Sequence, residues 1–135
     1  WQFRDTSASG TLQWITAGAS PGDKWSVHAI GQEPTTHRMR FADLDNDGDP
    51  ELVVVPLFGS GATRKNNFME KPVRILAFEV PQDPVKGPWE PTVINEELHV
   101  AHNFWPCDLN DDNRTDILVA SYEGVSLLER SSSGQ

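Results

Sequence analysis

Basic residues are scarce: 11 Lys and Arg stand against 20 Asp and Glu, for a formal net charge of −9. That balance argues against a nucleic-acid partner, which needs clustered Lys and Arg to displace phosphate counterions. Cys107 is the one cysteine, so no internal disulfide can form and the redox compartment stays open. Its plain reading is a small buried strand residue. No apolar run approaches the ~18 residues of a membrane span. The first residues, Trp1, Gln2, Phe3, Arg4 and Asp5, lack both the layout of a signal peptide and an initiator Met. The sequence is therefore expected to be a processed or excised product. Long helices are also excluded, because ten Pro and ten Gly punctuate the 135 residues. No nucleophile elbow, phosphate-binding glycine loop or zinc-spaced Cys/His set occurs.

What is present is concentrated acid. Asp43, Asp45, Asp47, Asp49 and Glu51 crowd one short stretch, and Asp108, Asp111, Asp112 and Asp116 another. Aligning Asp43 with Asp108 brings much more into phase. His37 falls on His102, Leu44 on Leu109, Asp47 on Asp112, Val54 on Val119 and Gly59 on Gly124. With one residue of slack, the segment from Trp25 to Ile30 matches that from Trp89 to Ile94. A repeat of this length is an architectural unit.

Between the acidic stretches the chain reads as strands. Residues 51–57 and 116–122 are short, β-branched apolar runs of the kind buried on both faces. One unit, 25–80, is expected to hold strands at 25–30, 38–44, 51–57 and 73–80. The second, 89–129, repeats them at 89–94, 103–109, 116–122 and 125–129. Residues 1–24 contribute a preceding outer strand at 11–15. The fold class is therefore all-β, with antiparallel four-stranded blades of a β-propeller, about two blades in all. Two blades cannot close a ring, so the remaining blades are expected in the same polypeptide or in other copies; a small sandwich is the structural alternative. The loop from Gly59 to Pro72 is expected to be exposed.

The acids sit at alternate positions, the spacing with which a chain wraps a hard cation. Asp43, Asp45, Asp47 and Glu51 offer carboxylates, Asp49 a backbone carbonyl, and Gly48 the sharp turn. Asp108, Asn110, Asp112, Arg114 and Asp116 repeat that register, with Asn113 in place of the glycine. The acid leads straight into a strand, which separates the loops from an EF-hand. Two Ca2+ sites are expected, with Mg2+ less suited and the first loop the tighter. The plain alternative is a metal-free acidic turn.

These loops resemble the calcium-binding repeats of the FG-GAP/VCBS propeller family. A narrower similarity, carried by residues 10–15, 25–30 and the pair His37 and Arg38, is to the propeller part of aldos-2-ulose dehydratase and related secreted proteins. The resemblance implies an extracellular module of a carbohydrate-active or carbohydrate-binding protein.

His37 and His102 precede the loops at equivalent positions and are candidates for a second metal, for acid–base catalysis or for sugar contact. Strand capping is the plain alternative. Phe104 and Trp105 beside His102 could stack on a sugar ring or fill the core. Trp25 and Trp89 are expected to pack between blades, while His28 and His99 carry little weight. The leading expectation is a non-catalytic calcium-binding module for a carbohydrate or protein ligand. The alternatives are the propeller portion of a dehydratase or lyase, and a purely structural domain.

Overall fold

The structure, a computed structural model, describes residues 5–130. Residues 1–4, part of the N-terminal stretch read for a signal layout, lie outside the described residues. Nine strands follow in order: β1 (Ser9–Thr16), β2 (Ser26–Pro34), β3 (Thr36–Ala42), β4 (Glu51–Pro56), β5 (Ile75–Phe78), β6 (Pro91–Asn95), β7 (Asn103–Cys107), β8 (Asp116–Ser121) and β9 (Gly124–Leu128). Among the described residues there is no α-helix, only one 3-10 turn at Arg64–Asn66, and no helix able to cross a membrane.

All pairings are antiparallel, and the strands form three sheets ordered β1-β2, β3-β4-β5-β6 and β7-β8-β9. The repeat units and the sheets are out of phase by one strand. β2 and β6, expected to open the units 25–80 and 89–129, instead form the outer edge of the preceding sheet. Sequence periodicity gives the length of a repeat but not which strand begins a sheet. The switch occurs at Thr35 and Val100, repeat-equivalent residues with φ of 56° and 48°. Such a backbone is unfavourable for a β-branched residue. At Thr35 it is held by the hydroxyl, which donates to the Phe58 carbonyl at 2.6 Å and accepts the Phe58 N–H at 3.1 Å.

The alternation of β4 explains the layering. Leu52 and Val54 face the first sheet, where they join Leu12, Ile30, Leu76, Phe78 and Trp89. Val53 and Val55 face the third, joining Ala42, Val73, Ile75, Phe104, Ile117 and Val119. A strand buried on both faces must be apolar throughout, and residues 52–55 are. The two tryptophans expected to pack alike part company: Trp89 fills the layer between the first two sheets at 6% exposure, whereas Trp25 is 52% exposed. Sheets stacked face to face along the chain, with β3 and β7 touching at their inner edges, have the layout of successive propeller blades.

The connection from β4 to β5 is less detached than expected. Its middle is exposed, but Phe58 and Phe68 stack at 4.0 Å and Ala62 is buried, its carbonyl accepting the Thr6 hydroxyl at 2.6 Å.

Candidate functional site

The two acidic loops join β3 to β4 and β7 to β8, and they close in the same way. Leu44 N–H donates to Glu51 Oε2 at 2.7 Å, as Leu109 N–H does to Asp116 Oδ2 at 3.2 Å. Gly48 N–H reaches Asp43 Oδ2 at 3.1 Å, as Asn113 N–H reaches Asp108 Oδ2 at 2.8 Å. Asp47 N–H contacts Asp45 Oδ1 at 3.2 Å, and Asp112 N–H contacts Asn110 Oδ1 at 3.1 Å. Asp49 and Arg114 N–H donate to Asp47 and Asp112 Oδ1 at 2.8 and 2.9 Å. Left-handed residues also repeat: Asn46 and Gly48 in one loop, Asp111 and Asn113 in the other. Asparagine at the second glycine position is thus accommodated by the backbone it is known to tolerate.

The carboxylates of the two loops are not equally gathered. Asp43, Asp45 and Glu51 each bring an oxygen within 4.8 Å of the others. Asp47 and Asp49 stay outside that group, and among the described residues no such trio forms in the second loop. The donor set fits a hard cation, since it is all oxygen and Glu51 is nearly buried. Burial, then the charges of Asp45, Asp43 and Asp47, push the Glu51 carboxyl above its usual range, against the Leu44 hydrogen bond. A cation there would relieve all three repulsions. In the second loop a feature missed in the sequence intervenes: the Arg114 side chain folds onto Asp112, with Nε and Nη2 at 3.1 and 2.6 Å from Oδ2. The loops also touch, the Asn46 side-chain amide donating to the Asn113 carbonyl at 2.5 Å. Arg130 beyond β9 donates to the Leu44 carbonyl at 2.6 Å.

At the opposite ends of β3 and β7 the two repeat-equivalent histidines meet. His37 and His102 lie with ring centroids 5.4 Å apart and planes tilted by 53°. His37 Nε2 is buried and has no hydrogen-bond partner. Burial, then Arg38 and His102, push its pKa below the usual value, which favours the neutral ring. A neutral imidazole beside a second imidazole can accept a proton or offer nitrogen to a metal.

The aromatic pair divides. Phe104 is in the core at 2% exposure, so it cannot form a sugar platform; Trp105 is 60% exposed. Arg40, the repeat counterpart of Trp105, lies over both rings, 5.0 Å from Phe104 and 5.3 Å from Trp105. His28 stacks on Trp14 at 4.4 Å, and its Nε2 lies 3.0 Å from the Thr16 hydroxyl. His99, given little weight in the sequence, engages an acid: its ring and main-chain N–H hold Glu123 at 2.7 and 3.0 Å. Nothing in the repeat marks that pair, because neither residue has an equivalent in the first unit.

Residues 9–133 match the family described as aldos-2-ulose dehydratase, beta-propeller domain. A curated relative, aldos-2-ulose dehydratase of Phanerodontia chrysosporium, is 23% identical over 124 residues. That alignment covers 88% of this chain and 13% of the relative's length. With stacked antiparallel sheets, a loop repeated in register and a match over nearly its whole length, the chain belongs to the aldos-2-ulose dehydratase β-propeller domain family.

Proposed function

We propose that this chain is part of a secreted, calcium-stabilised propeller of FG-GAP/VCBS type that forms one wall of a carbohydrate site, in an enzyme of the dehydratase or lyase kind. The remaining blades and the rest of the site belong to the same polypeptide or to other copies. The observation that carries the reading is the meeting of His37 in β3 and His102 just before β7, with a buried and unpartnered His37 nitrogen. Family membership supports a sugar as the substrate class.

Elimination of water from a sugar requires a proton to leave a carbon beside a carbonyl and another to reach the departing hydroxyl. His37, its neutral form favoured, suits the first task, and His102 lies close enough to serve the same substrate. Calcium at Asp43, Asp45 and Glu51 is structural. It neutralises repelling carboxylates at the far ends of the strands and fixes the β3–β4 hairpin. At free calcium a hundredfold above Kd, one such site contributes about 2.7 kcal/mol. Millimolar extracellular calcium suits a weak site of this kind.

A second reading, a non-catalytic module for a carbohydrate ligand, draws on the exposed Trp105 with Arg40 over its ring. Replacing both His37 and His102 by Ala in the parent polypeptide separates the two. Lost turnover with retained sugar binding and an unchanged Tm supports the enzyme. Turnover retained in that variant rejects it.

A further inference from the structure

We infer that Arg114 is the resident cation of the second acidic loop, so that this loop closes on its own guanidinium and the chain takes up one divalent ion rather than two. The inference rests on the calcium reading of the first loop and limits it.

The two loops make the same four main-chain contacts, so their backbones solve the same problem. Their charges do not match. Residues 43–51 carry five carboxylates and no basic residue, whereas residues 108–116 carry four carboxylates and Arg114. Arg114 stands at the repeat position of Asp49, so the second loop has a positive charge where the first has a fifth negative one. Both guanidinium contacts fall on Asp112 Oδ2, while Asp112 Oδ1 accepts the Arg114 main-chain N–H at 2.9 Å. Each oxygen of Asp112, the residue that repeats Asp47, is therefore engaged within the chain. Asp108 is held as its counterpart Asp43 is, each accepting main-chain N–H groups on both carboxylate oxygens, so the guanidinium on Asp112 is what sets the second loop apart. Asn110 replaces a carboxylate by an amide, whose nitrogen lies 3.3 Å from Glu129 Oε1. The positions of Asp43, Asp45 and Glu51 are held here by Asp108, Asn110 and Asp116, two acids and an amide in place of three converging acids.

A guanidinium differs from a dication in one respect that matters. It is covalently attached and stays charged over the whole working pH range. The second loop is then closed at any calcium concentration. Through the Asn46 amide on the Asn113 carbonyl it offers the first loop a fixed neighbour before an ion arrives.

Calorimetric titration of the full chain with calcium tests the inference, alongside Arg114→Asp, which installs the Asp49 chemistry, and Arg114→Gln. Wild type is expected to bind one ion and Arg114→Asp two. In EDTA, Arg114→Gln is expected to melt several degrees below wild type, because its loop has lost the guanidinium. Two ions on the wild type, or one on Arg114→Asp, overturns the inference and leaves the first calcium site standing. No binding by wild type sinks the calcium reading itself. The EDTA melting point then decides on Arg114 alone, and an unchanged Tm in Arg114→Gln rejects its role.

Discussion

At the scale of single residues, two ionisable groups depart from their ordinary behaviour, one with its charged form disfavoured and one with it favoured. Partial burial, then the charge of Arg38 and the neighbouring His102 ring, disfavour the charged form of His37. Its NMR titration is expected to have a midpoint below 6.5, and a midpoint at or above that value contradicts the enclosure of its Nε2 atom. Glu123 goes the other way. Burial opposes its ionisation, but the His99 main-chain N–H, the His99 ring and the Ser121 hydroxyl outweigh it and hold the carboxyl at about 2. Because the folded value lies below the unfolded one, near 4.5, ionised Glu123 stabilises the fold above pH 4.5. That contribution fades as pH falls from 4.5 towards 2. Urea midpoints measured across that window are expected to decline in wild type and to decline less in Glu123→Gln. Equal slopes would show that the His99 clamp has no effect on stability. Part of this group is solvent-exposed, so the difference is expected to be modest.

At the scale of strands and loops, Phe104 and Trp105 make the sharpest contrast, because adjacent residues on a strand point to opposite faces. Phe104→Ala opens the layer between the second and third sheets and is expected to cost about 3–5 kcal/mol in chemical denaturation. Trp105→Ala is expected to change stability far less, and comparable losses would contradict the assigned faces. Several strands were legible in the sequence, β4 and β8 most plainly, as short β-branched apolar runs. So was the register of the loops, where Gly48 and Asn113, the turn positions read from the sequence, are left-handed; the same conformation at Asn46 and Asp111 was not legible. The grouping of strands was not legible: β2 and β6 join the preceding sheets, a matter of long-range hydrogen bonding that local pattern does not encode. Nor could the sequence separate Phe104 from Trp105, because either parity of β7 puts one aromatic inward. The equivalence of Trp25 and Trp89 in the repeat likewise carried no information about burial, which depends on what stacks against each face.

At the scale of the whole molecule, the inner strands have a different chemistry at each end: oxygen-rich loops at one, a pair of imidazoles at the other. Family membership and the stacked sheets describe the scaffold, while the division of labour between the ends is the proposal. Arg40→Ala and Trp105→Ala are expected to weaken binding of any sugar seated on that face, read by titration calorimetry in the parent protein; unchanged affinity for both would remove the face from the site. The His pair was anticipated from its place in the repeat, but the buried His37 nitrogen came only from packing. The claim on which the stabilising role rests is a calcium ion among the side chains of the β3–β4 loop. Crystals grown in calcium and measured for anomalous scattering test it most directly. A calcium peak is expected among Asp43, Asp45 and Glu51 with oxygens at about 2.3–2.6 Å; a water molecule at that point, with no anomalous signal, would contradict the calcium assignment.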